Sequence, residues 1–315
     1  MSATRLLVPV LLLCGYTPAL AQIDLNPPKA AATISVDVDL VNVLCSVRDK
    51  NGSYVKGLQK EDFEVKQDGK RQLLSHFARE VDSPMTVALM LDVSGSVSSI
   101  IGVEKSAAAR FLGEVLRPGD KSLLVGFAQL IAVWQDLTES KEDMSQALEQ
   151  AGPGALPSGN PELRPRGGTL LYDAVALVAS QKLKRLPGRK TIVVISDGED
   201  NGSIAKISEA VKAAHEADAV LYGIHYVDEE RGYSRGGLAA LEKLSEPTGG
   251  RAFHVSGRVK LEDVFRQIGE EMRNQYGLGF PPPPGAKAGD FHKLEVKTSK
   301  AGMKAQARSG YYTGK

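Results

Sequence analysis

A chain of 315 residues has room for about two domains once an N-terminal segment is set aside. Its composition, 42% hydrophobic and 24% charged, is that of a globular protein. With 39 Lys and Arg against 38 Asp and Glu the net charge is +1, so no bulk field draws it to nucleic acid or an anionic membrane.

Residues 1–21 have the pattern of a cleavable signal peptide. Arg5 supplies the positive charge, Leu6 to Leu13 the apolar run, and Ala19-Leu20-Ala21 the small-residue cleavage site. The run is shorter than the ~20 apolar residues that cross a bilayer, and no later stretch is long enough. A secreted or periplasmic protein is expected, with no integral membrane segment in the mature chain. Lipidation at Cys14 is disfavoured, because Leu11-Leu12-Leu13 offers no small residue beside it. Cys14 leaves with the signal, so Cys45 stands alone, without a disulfide or a cysteine metal site. Its apolar neighbours mark it as a core residue.

Residues 22–32 read as a polar leader. From Thr33 to Val47 the β-branched run, with Ile34, Val36, Val38 and Leu40 alternating, predicts a half-buried strand. Asp49 to Gly52 is a hairpin turn, Val55–Leu58 and Phe63–Lys66 are further strands, and Asp68-Gly69 is another turn. Residues 33–82 thus form a small β segment.

At Met85 the pattern changes. Met85 to Leu91 is almost entirely apolar, as in a parallel strand buried on both faces. Ser98 is placed to cap a helix carrying Ile101, Ala108, Phe111, Leu112 and Val115, which ends at Pro118-Gly119. Further strands are predicted at Ser122–Phe127, Ile131–Trp134, Thr191–Ile195, Ala219–His225 and Arg251–Val255. Helices are predicted at Asp143–Leu148, Leu170–Leu183, Ile204–Ala217, Leu238–Leu244 and Leu261–Tyr276, and a Gly/Pro-rich loop at 151–168. Alternating strands and helices argue for an α/β fold, a doubly wound, mostly parallel sheet over residues 84–276. After it, residues 277–315 return to β pattern: a four-proline connector, then strands at Phe291–Val296 and Met303–Arg308. Neither end has enough strands for its own sheet. The expectation is that they pair into one small β-sandwich with the α/β domain inserted between them.

Ligand sites of open parallel sheets form at the carboxyl ends of strands. Asp92, Ser94 and Ser96 follow the strand ending at Leu91, and Asp197 follows the one ending at Ile195, in Ser196-Asp197-Gly198. Gly167-Gly168-Thr169 opens a helix over the same edge. D-x-S-x-S, G-G-T and S-D-G, in this order and strand context, resemble the metal-ion-dependent adhesion site of von Willebrand factor A (VWFA) domains. The flanking β segments resemble those of a secreted, acidobacterial-type group of VWFA-related proteins. The resemblance implies that Ser94, Ser96 and Thr169 contact a cation, and that Asp92 and Asp197 hold it directly or through water. An all-oxygen set without sulfur or imidazole suits Mg²⁺, with Mn²⁺ as substitute. Uncharged hydroxyls leave the ion much of its charge and an open position for an Asp or Glu carboxylate of a protein partner. Four of the five also have a plainer explanation: Ser94, Ser96 and Thr169 as helix caps, Asp197 as a turn former. None of these explains all five together.

Other patterns fall away. Asp197 to Gly202 imitates a calcium loop, but its twelfth position is Ser208 and a strand precedes it, so Asp200 is expected to serve a turn or a helix start. Gly188-Arg189-Lys190-Thr191 is not a phosphate loop, because a strand follows it. Lys182, Lys184, Arg185, Arg189 and Lys190 read as a solvated face. The five histidines show no H-E-x-x-H, and no G-x-S-x-G is present. The expected function is therefore a metal-dependent, adhesion-type binding module and not an enzyme. The alternatives are a structural or assembly subunit of an envelope complex and, further off, a hydrolase or ATPase accessory subunit.

Overall fold

A computed structural model describes residues 40–79, 83–95, 101–152, 168–227 and 235–314. The signal peptide, the leader, the stretch 33–39, Ser96, Ser98, Gly167 and most of the 151–168 loop lie outside the described residues.

The chain opens with β1 (Val41–Arg48), β2 (Phe63–Gln67), β3 (Lys70–Gln72) and β4 (His76–Arg79). The α/β part follows with β5 (Met85–Asp92), α1 (Ile101–Val115), β6 (Lys121–Phe127), β7 (Ile131–Thr138) and α2 (Lys141–Gln150). Next come α3 (Leu171–Leu177), which runs on as a π-helical stretch over Val178–Leu183, then β8 (Arg189–Ser196), α4 (Ile207–Glu216) and β9 (Ala219–His225). It ends with α5 (Arg235–Ser245), β10 (Ala252–His254) and α6 (Leu261–Arg273). The chain closes with β11 (Tyr276–Phe280), β12 (Phe291–Thr298), β13 (Lys304–Ala307) and β14 (Gly310–Tyr312).

The central sheet has the order β10-β9-β8-β5-β6-β7. Every pairing in it is parallel except β6 with β7. Along β5 the side chains alternate between two cores, as strand geometry requires. Val87, Leu89 and Leu91 meet α1, α2 and α6 on one face, through residues such as Phe111, Met144 and Phe265. Ala88 and Met90 meet α3, α4 and α5 on the other. The doubly wound expectation holds. Because β6 and β8 flank β5 on opposite sides, the chain reverses its winding direction there. That reversal opens a crevice at the carboxyl ends of β5 and β8.

The two ends of the described chain form a β-sandwich with sheets β13-β1-β11-β4 and β14-β12-β2-β3. Val41 pairs opposite Phe280 and Cys45 opposite Tyr276, while Val65 pairs opposite Val296. Between the sheets lie Val43, Cys45, Phe63, Val65, Leu278, Phe280 and Leu294. The Tyr276 ring centroid is 5.1 Å from that of Phe63. Cys45 is buried as expected, and burial pushes its thiol up to about 12.

Several expectations are corrected. In β1 the buried phase is Val41, Val43, Cys45 and Val47, and Leu40 is 42% exposed, so the even-numbered alternation does not continue into the sheet. Val55–Leu58 is not a strand: the segment returns from the Asp49–Gly52 turn with a single bridge, Arg48 to Tyr54. The last helix stops at Arg273, and Tyr276 already belongs to β11. The basic cluster is not one solvated face. Arg189 is 8% exposed and donates to the Ser83 and Met272 carbonyls, and Lys190 donates to Leu186 O.

The sandwich and the α/β layers meet through a buried carboxylate. Glu271 of α6 is fully buried and accepts from Ser46 Oγ (3.0 Å), Tyr54 Oη (2.7 Å) and Arg251 Nε (3.2 Å). Arg251 also donates to Tyr54 Oη and stacks on Phe253, 4.2 Å from its ring centre.

Candidate metal centre

Asp92 is the last residue of β5 and is fully buried. Its Oδ1 accepts the Ser94 N–H at 2.9 Å and its Oδ2 accepts the Ser196 hydroxyl at 2.6 Å. Ser196 Oγ in turn accepts the Gly198 N–H at 2.9 Å, so one serine joins the two strand ends. Burial pushes Asp92 up to about 6. The hydrogen bonds from Ser196 and Ser94 oppose that rise, and the neighbouring Asp197 charge adds to it.

Asp197 is 8% exposed, and its Oδ1 accepts the Glu199 N–H at 3.0 Å. Both aspartates therefore spend an oxygen on their own turns, as the plainer explanation expected of Asp197. A carboxylate has about four acceptor positions, so capacity for a cation remains.

Thr169 is also 8% exposed. Its N–H donates to Asn201 Oδ1 at 2.6 Å, and its carbonyl accepts from the Asn201 and Gly202 N–H groups. The first N–H groups of α3 are capped elsewhere: Tyr172 N donates to Asp200 Oδ2 and Asp173 N to Ser203 Oγ. Asp200 thus serves a helix start, as its sequence context predicts, and the Thr169 side chain is not the cap of α3. The glycines of these motifs have a steric reason. Gly168 (φ +94°) has no room for a Cβ, which would stand 2.2 Å from Asn201 Oδ1, and at Gly198 (φ +76°) a Cβ would meet Gly237 O at 2.2 Å.

Ser94, Thr169 and Asn201 line one cavity of about 440 Å³ at this sheet edge, with Asp92 buried at the strand end that leads into it. Ser96, the remaining predicted contact, lies outside the described residues.

Two features have no motif to announce them. Glu104 of α1 is fully buried, and among the described residues neither carboxyl oxygen has a hydrogen-bond partner. Burial, and then the Asp92 charge, push it up to about 8. Its signal in the sequence was positional: it stands four residues before Ala108 and seven before Phe111, on the apolar stripe of its helix. The second feature is a histidine pair, His225 and His254, whose Nδ1 atoms are 2.9 Å apart on neighbouring strands, so one donates while the other accepts. Burial, and then His254, push His225 down to about 4.

Chemically the edge offers uncharged hydroxyls near the cavity and two buried acids, Asp92 and Glu104, whose charge the surroundings disfavour. A hard divalent cation fits such an oxygen-only set, and its charge offsets that of the acids. Among the described residues no three His, Cys, Asp or Glu side chains converge as a metal site. The cation would therefore rest on hydroxyls and two aspartates, not on a carboxylate cage.

The profile of the von Willebrand factor type A domain matches residues 87–199. No curated protein matches the chain. Among solved structures, proximal thread matrix protein 1 from the mussel byssus, with a zinc-occupied MIDAS motif, is 16% identical over 65% of this chain and 49% of its own, with a TM-score of 0.49. BatB from Bacteroides thetaiotaomicron is 20% identical over 60% of this chain and 97% of its own, with a TM-score of 0.46. A von Willebrand factor type A protein from Catenulispora acidiphila is 13% identical over 88% and 74%, with a TM-score of 0.47. The chain spans about half the length of the mussel protein, 50% in a second crystal form. Between its two sandwich-forming ends, the chain is thus similar to a von Willebrand factor type A domain over residues 87–199.

Proposed function

We propose that this protein is a secreted or periplasmic binding module of the VWFA-related type, which engages an acidic group of a protein partner through Mg²⁺. The ion is held by Asp92, Ser94, Ser96, Thr169 and Asp197, with Mn²⁺ as a substitute. When bound, it supplies positive charge and an exchangeable position that a partner's Asp or Glu carboxylate fills. The observation that carries this reading is the sharing of one cavity by Ser94 and Thr169, beside a buried Asp92 whose ionised form burial disfavours. The protein's own groups have evident tasks: Ser196 orients Asp92, Asn201 holds the Thr169 backbone, and Asp200 caps α3. No catalytic step is part of the proposal.

Calorimetric titration of Mg²⁺ and Mn²⁺ into EDTA-stripped protein tests it. Saturable one-to-one binding, lost in Asp92→Ala and Thr169→Ala, is the expected result. Absence of binding in the wild type, or binding unchanged in both variants, would sink the assignment.

A further inference from the structure

A second cavity, of about 810 Å³, lies at the amino-terminal edge of the central sheet, where Arg117 precedes β6 and Arg251 precedes β10. That is the edge opposite the candidate metal centre. Its volume falls within the ~300–1,000 Å³ of small-ligand sites. Its described lining residues include five cations, Arg48, Lys56, Arg117, Arg251 and Arg273, against one acid, Glu270. Counting also the buried Glu271 that Arg251 already holds, three net positive charges gather here, on a chain whose whole net charge is +1. Two of the guanidinium groups are fixed in place. Arg251 donates to Glu271 and to Tyr54 and lies on the Phe253 ring, and Arg48 donates to Gln306 Oε1 at 2.5 Å. A guanidinium carries five N–H groups, so both keep donors in a set orientation. Arg273 and Lys56 make no ion pair among the described residues. Gln275 lines the same cavity at 6% exposure, and its side-chain amide has no hydrogen-bond partner among the described residues.

We propose that this cavity binds a small acidic sugar carrying two or more carboxylate or phosphate groups. The cations set the charge of the ligand. A single oxyanion group would leave most of the gathered positive charge unanswered. The flat fork of arginine pairs with carboxylate and phosphate alike, so these residues do not choose between the two. The rest of the lining sets the skeleton. Val55 is the only aliphatic side chain among the described lining residues, so an acyl chain would gain little by entering. The amides of Asn51, Gln267 and Gln275 each bring donors and an acceptor, which suit the hydroxyl groups of a sugar. Tyr54, its hydroxyl engaged by Glu271, offers its ring as a face for a sugar ring to lie on. No metal takes part, and the site stands apart from the cation–carboxylate reading of the other edge.

Calorimetry on the full chain in EDTA tests this with four probes: digalacturonate, fructose 1,6-bisphosphate, neutral sucrose and the peptide acetyl-Glu-Glu-Glu-amide. At least one acidic sugar is expected to bind saturably with a Kd below about 1 mM, and at least tenfold tighter than sucrose. Whichever of the two binds tighter identifies the oxyanion as carboxylate or phosphate. Arg273→Gln should weaken that binding about tenfold, the scale of one charge-assisted hydrogen bond. Lys56→Gln, on the exposed segment after the Asp49–Gly52 turn, should weaken it severalfold and leaves the packed layers untouched. Lys243→Gln makes the same change of charge on α5, outside the cavity lining, and should leave affinity unchanged. Failure of both acidic sugars to bind overturns the proposal. So does an equal loss in the Lys243 variant, which would mean diffuse surface charge, and so does sucrose binding as tightly as the acids. Tighter binding of the glutamate peptide than of either acidic sugar would overturn the sugar and make the cavity a seat for acidic peptides.

Discussion

Two glutamates among the described residues are fully buried, and they are treated in opposite ways. Glu271, where the sandwich meets α6, is held by Ser46, Tyr54 and Arg251. Glu104, behind the candidate metal centre, has no hydrogen-bond partner for either oxygen among the described residues. A buried acid with a guanidinium and two hydroxyls around it is compensated from within, and its work is to fix how two layers meet. A buried acid without partners stays neutral or is compensated from outside. The contrast teaches that burial alone does not make a carboxylate structural; its partners do.

The largest expected effect tests the Glu271 half. Glu271→Ala leaves Arg251 and two hydroxyls without their acceptor and should cost about 3 kcal/mol in urea unfolding. A loss well under 1 kcal/mol would show that the junction does not depend on this network.

The next effect concerns Glu104 and pH. Its carboxyl is pushed from an ordinary 4.5 to about 8 in the folded protein. The folded state therefore holds the proton that the unfolded state releases. That stabilisation is complete below about 4.5 and is lost as pH rises to about 8. In EDTA, wild-type protein should melt lower at pH 8.5 than at pH 5, and Glu104→Gln should flatten this fall by roughly 5–10 °C. A variant with the wild-type pH profile would mean that Glu104 finds compensation after all. Added Mg²⁺ should raise the wild-type midpoint more at pH 8 than at pH 5, because burial also pushes Asp92 up to about 6 and protons compete with the metal below that.

The smallest effect belongs to Asn201, which holds the Thr169 N–H. Asn201→Ala should lower stability by only about 1 kcal/mol, yet weaken Mg²⁺ binding measured by calorimetry. A large stability loss with unchanged metal affinity would move Asn201 from the site to the scaffold.

Much of the α/β part was legible because its signals are local. Met85–Leu91, Thr191–Ile195 and Ala219–His225 are apolar runs of strand length, and β9 spans the predicted residues without change. Two of the three motifs, D-x-S-x-S and S-D-G, were legible because each sits just beyond such a run, and G-G-T because it opens a helix. What escaped was long-range. The phase of β1 is decided by Phe280 and Tyr276 across the ladder, not by the alternation before it. Arg189 and Lys190 look like surface cations until the Ser83, Met272 and Leu186 carbonyls are placed around them. Glu104 sat in plain view on an apolar stripe, but only its missing partners in three dimensions give that position meaning.

The ladder of β1 with β11 also governs the order of events during synthesis. Val41 has no strand opposite it until Phe280 exists, so the sandwich closes only after the entire α/β layer has been made. Closing so long a loop raises contact order and slows that step. The α/β layer, whose parallel neighbours lie closer in the chain, is free to form first. Until the last strands arrive, β1 remains an unpaired apolar edge, which gives holdase chaperones a substrate and aggregation a starting point.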